Sequence, residues 1–288
     1  MDWKLSQNGI VTTVDMAGVK EGWSFWMLLR SDVHRDSIFA NRDLEKTHLD
    51  MALDRQAGII DAGDLFDIMQ GKKDPRSSYS ELRPEYLTQN YFSAVAEDNA
   101  KFYTPYAHNF IVLGKGNHET SILRHNNLDM TSDLVSKLNT KTGSNIQAGG
   151  YGGYVRFILR GGREKQYQVI LRYFHGNSTN APVTRGMIET NRQAVYLPDA
   201  NVVLNGHNHH GYYAPIERQR INQQGHLEYD TIHFVRTPGY KRANHDNYPK
   251  EGFDTEKLPE PRPIGCVWMQ MTYTSRGGIH LSFTPDLR

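Results

Sequence analysis

Apolar residues along this chain come in short runs, and each run is followed by a tight cluster of polar residues. Phe25-Trp26-Met27-Leu28-Leu29 is a continuous apolar stretch of the kind that forms a buried strand, and it feeds directly into Arg30-Ser31-Asp32-Val33-His34. A helix is predicted next, capped by Asn41, with Asp43 and Glu45 in its first turn and Gly58 at its end. Ile59-Ile60 opens a second strand that runs into Gly63-Asp64-Leu65-Phe66-Asp67, and 70–80 reads as a polar, proline-containing loop. Leu87, Tyr91, Ala94, Val95 and Phe102 recur at helical spacing, which predicts a helix between Pro84 and Phe102 with the proline in its first turn.

The same alternation continues. Phe110-Ile111-Val112-Leu113 predicts a third strand ending at Gly114-Lys115-Gly116-Asn117-His118-Glu119. Segments 154–159 and 167–174 predict a hairpin around Gly161-Gly162 whose second strand delivers His175-Gly176, and Val202-Val203-Leu204 delivers Gly206-His207-Asn208-His209. Beyond residue 210 the pattern is β-rich: 211–221 and 226–235 flank a turn, 264–274 and 279–283 follow, and this half is expected to complete a second sheet. The polar, proline-rich stretch 244–263 reads as a surface loop. Five apolar segments thus end in five polar clusters. Ligands of open α/β sheets collect beyond the carboxyl ends of strands, so convergence of the five into one site is the geometric expectation.

Composition narrows the chemistry. In 288 residues, 33 Lys and Arg stand against 32 Asp and Glu, a formal net charge of +1, so bulk positive charge is not a means of holding nucleic acid. The one cysteine, Cys266, excludes an internal disulfide and a thiolate cage, leaving His, Asp, Asn and Glu as metal donors. No apolar run approaches a membrane span, and the opening Met1-Asp2-Trp3-Lys4 does not resemble a signal peptide, so the expectation is a soluble cytoplasmic protein of one domain over 1–288.

Imidazole nitrogens with carboxylate and amide oxygens suit divalent transition metals. Asp32 and His34 lie two residues apart, Asp64 has two oxygens that can bridge a pair of ions, Asn117, His175 and His207 can complete one ion, and His209 can join Asp32 and His34 on the other. Two carboxylates, two divalent ions and a hydroxide leave about +1 to face an anionic phosphoryl group, which favours phosphate esters attacked by metal-activated hydroxide. His118, next to Asn117, can donate the proton a leaving alkoxide needs, with a carboxylate such as Asp67 orienting the ring.

Taken in order, Asp32-Val33-His34, Gly63-Asp64-Leu65-Phe66-Asp67, Gly116-Asn117-His118-Glu119, His175-Gly176 and Gly206-His207-Asn208-His209 resemble the five motifs of the calcineurin-like metallophosphoesterases, and Thr237-Pro238-Gly239-Tyr240 resembles a segment that often follows them. The resemblance implies an α/β (α+β) four-layer αββα sandwich of two mixed sheets around two divalent metal ions, with manganese expected first and iron, zinc, nickel or magnesium as alternatives. It implies Asp32, His34, Asp64 and His209 at one metal, Asp64, Asn117, His175 and His207 at the other, and His118 as general acid supported by Asp67. After Asp67 the chain continues Ile68-Met69 rather than the Arg-Gly of protein phosphatases, and Gly-Asp-Leu-Phe-Asp is similar to the nuclease subunit of double-strand-break repair complexes. The expected substrate is therefore a phosphodiester of a nucleotide or of DNA; a phosphomonoesterase acting on a small metabolite, and a non-catalytic metal-binding scaffold, are the alternatives.

Other residues carry weaker signals. His48, His108, His125, His226, His233, His245 and His280 read as structural or surface histidines, and His210 as a loop residue beside the last motif. Asp36 and Asp61 flank motifs and can orient ligands or cap turns, and Glu119 can hold a neighbouring ring or backbone. Lys72, Lys73, Arg76, Lys115, Tyr240, Lys241 and Arg242 are candidate phosphate contacts, while Tyr151, Tyr154, Tyr212 and Tyr213 are candidate base-stacking or sheet-packing aromatics.

Overall fold

The computed structural model describes residues 3–68, 81–162, 165–176, 187–242 and 262–288. Thirteen strands among them make two mixed sheets. One sheet begins with a hairpin, β1 (Trp3–Asn8) and β2 (Val11–Met16), which the apolar runs did not predict because β2 buries only alternate positions and β1 buries none. It continues through β7 (Gly152–Arg160), β8 (Gln166–Phe174), β9 (Val202–Asn205), β11 (Leu227–Arg236) and β10 (Tyr212–Ile221) in that spatial order. The other runs β13 (Gly278–Leu287), β12 (Gly265–Thr274), β3 (Ser24–Arg30), β4 (Gly58–Asp61), β5 (Phe110–Leu113), β6 (Gln147–Ala148).

The C-terminal strands do not make a sheet of their own. β10 and β11 extend the first sheet, with β11 parallel to β9, while β12 pairs antiparallel with β3 in the second. Local pattern specifies a strand, but its partner is a long-range choice, so of the half expected to complete a second sheet β10 and β11 do so, while β12 and β13 join the sheet of β3.

Alternation along the strands sorts side chains into layers. Met27, Leu29, Ile60, Val155, Leu171, Val202, Leu204 and Val235 meet between the sheets. Leu28 and Ile59, on the opposite face of their strands, pack with α1 (Arg42–Asp54), α2 (Tyr91–Tyr103) and α4 (Met130–Thr142) through Leu49, Val95 and Leu134. Val203, Ile232 and Phe234 face outward from the first sheet toward Ala194 of α5 (Met187–Tyr196). Helix, sheet, sheet and helix thus stack in the αββα order expected.

Element ends differ in detail. Asn41 caps α1, its side chain accepting from the Leu44 N–H at 2.9 Å. The helix stops at Asp54, and Gln56 turns the chain with φ 50°, so Gly58 begins β4 instead of ending the helix. The helix expected from Pro84 is in two pieces: a 3-10 turn at Pro84–Tyr86, then α2 from Tyr91. Buried Tyr86, tied by its hydroxyl to Arg42 and Asp98, pulls the first turn inward and interrupts the helical path. The expected loop at 70–80 and most of that at 244–263 lie outside the described residues. Among the described residues no helix is long and apolar enough to cross a membrane.

Candidate metal centre

Six strands point their carboxyl ends at one place. β3, β4 and β5 run parallel in one sheet, and β8, β9 and β11 run parallel in the other. The segments that follow them carry Asp32 and His34, Asp64 and Asp67, Asn117 and His118, His175, His207 and His209, and Thr237 to Lys241. The structure therefore brings all nine sequence-selected residues together, and adds a sixth segment.

Their donor atoms form three overlapping groups, each with all its atoms within 4.8 Å of one another: Asp32, His34 and His209; His34, Asp64 and His118; Asp64, His175 and His207. The groups are continuous with each other, since His175 Nε2 lies 3.1 Å from Asp64 Oδ2 and 3.9 Å from Asp32 Oδ1. Asn117 Oδ1 is 3.1 Å from the same nitrogen. His209 Nε2 is 3.5 Å from Asp32 Oδ1. Asp32, His34, Asp64 and His175 are almost wholly buried, and His207 and His209 are half-buried at the cleft.

Backbone conformation holds these side chains inward. Asp32, His34, Asp64, His207 and His209 all have φ between 48° and 71°, the left-handed region that non-glycine residues avoid. Each costs on the order of 1–3 kcal/mol, and such residues persist only where the surroundings fix them. Here the fixing bonds are visible: Asp32 N–H donates to Gly63 O, His34 N–H to Asp64 O, His207 N–H to the Asp32 carboxylate at 2.9 Å, and His118 N–H to Asp64 Oδ1 at 3.0 Å. His175 Nδ1 lies 3.1 Å from Ala62 O, which leaves Nε2 to face the carboxylates.

Two motif glycines are explained by close approach. A Cβ at Gly116 would sit 2.0 Å from Asp64 Oδ1, and one at Gly206 would sit 2.3 Å from Ser31 Oγ and 2.6 Å from Asp32 Oδ2. Gly116→Ala is therefore expected to push the Asp64 carboxylate out of place, lowering divalent-metal occupancy by at least about tenfold, the scale set by losing groups that orient ligands. Metal analysis after dialysis checks it, and unchanged occupancy would show that the carboxylate has room to move.

Carboxylates and charged rings fix each other's protonation. Burial works against charge on Asp64, but His175, His118 and His34 outweigh it and hold the carboxyl well below its ordinary range. Asp67 is held low against the same burial by Lys241 and His34. Burial disfavours a proton on His175, yet Asp64 and Asp32 push it up to about 10, whereas burial, with nearby His34 and Lys241, pushes His209 down to about 4. Asp64 and His175 thus face each other as a carboxylate and a charged ring, 3.1 Å apart.

A divalent cation fits this site on two observations. His34 Nε2 is buried without a hydrogen-bond partner among the described residues, an expensive condition for a ring nitrogen unless something else takes the lone pair. The donors are imidazole nitrogen with carboxylate and amide oxygen, the set that first-row ions accept.

Several roles sharpen. The Asp67 carboxylate lies 3.0 Å from His34 Nδ1, 3.2 Å from Lys241 Nζ and 3.7 Å from His118 Nδ1, while the ring of His118 bonds the Asp67 backbone carbonyl. Glu119 holds backbone: its carboxylate accepts from the N–H groups of Gly116, Asp64 and Phe66 at 2.7, 3.1 and 3.0 Å, joining two motif loops, and burial together with Asp64 pushes it up to about 8. Asp36 accepts from Asp67 N–H, Ile68 N–H and the Tyr91 hydroxyl. Asp61 pairs with buried Arg30 at 2.9 Å and accepts from Gly63 N–H.

Lys115 is paired with Asp129, and Lys72, Lys73 and Arg76 lie outside the described residues. His210 and the histidines read as structural are in none of the three groups; His245 is not described. Sequence reasoning missed Ser31, whose hydroxyl bonds Asp32 and Thr237, and the bond from Tyr240 N–H to Asp32 O; both join segments some 200 positions apart, for which no local signal exists.

No family model and no curated protein matches the sequence. Solved structures similar to this chain include the calcineurin-like phosphoesterase YfkN from Bacillus subtilis, at 10% identity and a TM-score of 0.40 over 93% of this chain and 91% of that one. A metallophosphoesterase from Sphaerobacter thermophilus is 12% identical, with a TM-score of 0.35 over 92% and 90%. Vps29 from Chaetomium thermophilum is 10% identical, with a TM-score of 0.35 over 91% and 96%.

Proposed function

We propose that this chain is a metal-dependent phosphoesterase that uses two divalent ions, manganese the first to be tried, and cleaves phosphodiesters of nucleotides or nucleic acid. The observation that carries the reading is the pair of donor groups, Asp32, His34 and His209 beside Asp64, His175 and His207, in one cleft at the carboxyl ends of six strands. Asp32, His34, Asp64 and His209 would hold one ion, and Asp64, Asn117, His175 and His207 the other. When bound, such ions supply positive charge to phosphoryl oxygens and lower the pKa of water toward neutrality.

The chain's own residues do the rest. Asp64 lies between the two groups and can serve both. His118 faces the cleft with Nε2 3.7 Å from Asp64 Oδ2, and its other nitrogen is anchored on the Asp67 carbonyl, so Nε2 is the atom that would hand a proton to a leaving oxygen. Lys241, against Asp67, keeps that carboxylate from accepting the proton in its place. The lean to diesters rests on the resemblance of Gly63-Asp64-Leu65-Phe66-Asp67 alone; Leu65 and Phe66 themselves pack in the core.

Purified protein, with manganese and with chelator, should be offered an aryl phosphomonoester, an aryl phosphodiester, cyclic nucleotides, and single- and double-stranded DNA. Metal-dependent turnover of the diesters is expected, abolished by chelator. Turnover of the monoester alone would reject the diesterase reading, and turnover of none would reject the enzyme.

A further inference from the structure

A groove of about 560 Å³ leaves the metal centre along α3 (Asn117–Asn126). It is lined by Asn117, Thr120, Ser121 and Arg124 on the helix and by Tyr151 opposite. The helical residues stand at i, i+3, i+4 and i+7, a single stripe, so the groove follows the helix axis. Its inner end is Asn117, within reach of His175, and its outer end is Arg124, seven residues and therefore about 10 Å farther along the axis.

The two ends and the walls differ in chemistry. Arg124 is exposed and makes no ion pair among the described residues, so its guanidinium is available as a planar donor fork for an oxyanion. Two of the wall hydroxyls are already donated: that of Thr120 to Gly116 O and Asn117 O, and that of Tyr151 to Gly176 O at 2.7 Å. What Tyr151 presents is its ring, braced edge-on against His175 and Phe174 at 5.4 Å. A guanidinium at the outer end, an aromatic wall opposite the helix and the candidate ligand Asn117 at the inner end thus line one groove.

We infer that this groove is a subsite for a second phosphate of the substrate, bound by Arg124, with the nucleoside that links it to the scissile phosphate lying against Tyr151. The inference rests on the phosphodiesterase reading and refines it: the substrate is an oligonucleotide or a terminally phosphorylated nucleotide diester, not an isolated diester. Arginine leans back toward the N-terminal turn of its helix, which brings the fork nearer the reacting centre than the Cα spacing suggests.

Thymidine dinucleotide, its 5′-phosphorylated form and its 3′-phosphorylated form separate the outcomes, each followed by kcat/KM with manganese and by equilibrium binding in a calorimeter. One phosphorylated form is expected to exceed the bare dinucleotide by roughly tenfold in both, the value of one good charged hydrogen-bonded contact. Arg124→Ala should bring that ratio to near unity, Arg124→Lys should keep part of it, and Lys46→Ala, on α1, should leave it intact. Equal handling of the three dinucleotides by the unaltered chain, or a ratio that survives Arg124→Ala, would overturn the subsite. Cleavage without discrimination defeats the subsite alone; discrimination in binding without any cleavage upholds the subsite and defeats the hydrolase reading.

Discussion

Asp64→Asn is expected to strip the protein of metal, lowering affinity by at least about a hundredfold, because loss of groups that only orient ligands already costs 10–100-fold. The carboxylate stands between two histidine groups: Oδ2 faces His175 Nε2 at 3.1 Å and His118 Nε2 at 3.7 Å, while Oδ1 takes the His118 N–H. An amide can keep the bond from His118 N–H, so the loop stays formed. It cannot carry the charge that would hold two cations side by side, and its NH₂ has no lone pair to give. Elemental analysis after dialysis, beside a thermal melt of the metal-free protein, separates the two effects. Low occupancy with an unshifted melt is the expected result, and full occupancy would rule out the proposed bridging role of Asp64.

His118→Asn is expected to keep the metal and lose turnover selectively. Proton donation is typically worth 10²–10⁴-fold, and its worth grows as the leaving group becomes more basic. Alkyl and nucleoside esters should therefore slow by about that factor, while aryl esters with acidic phenols should change little. The comparison has a second edge. His118 shares a donor group with His34 and Asp64, so it is also placed to bind an ion. Metal lost together with activity would make it a ligand, and unchanged kinetics on alkyl esters would mean that the proton comes from elsewhere.

The site was far more legible in sequence than the elements around it. Asp32, His34, Asp64, Asn117, His175, His207 and His209 stand out because each follows a buried strand, and a strand's end is a local property that short apolar runs reveal. What surrounds the site was less visible. α3 and α4 went unread, although Met130, Leu134, Val135 and Leu138 make a helical stripe, because the chemistry of Asn117 and His118 masked the helix that begins there. α5 exposes Ile188, Val195 and Tyr196, so its pattern does not mark one apolar face. The division of the last four strands between two sheets depends on pairings such as Met269 with Met27, more than two hundred positions apart, which no local window contains.

Asp67 shows a finer limit. Its sequence position suggested a partner for His118, and the fold supplies one, but through the main-chain carbonyl; the carboxylate sits closer to His34 and Lys241. Spacing can bring two residues to the same place. Which atom of each meets the other is decided by rotamers and by neighbours that arrive from elsewhere, here a lysine 174 residues downstream.

Donors at the cleft come from both halves of the sandwich: Asp32, His34, Asp64 and Asn117 follow strands of one sheet, and His175, His207 and His209 follow strands of the other. An ion seated there is also a rivet. It clamps together two layers already joined by apolar packing and by a few polar bonds such as that from His207 N–H to Asp32, and ligand concentration a hundred times above Kd would add about 2.7 kcal/mol against their separation. Catalytic readiness and mechanical cohesion would then rise and fall on the same mineral supply.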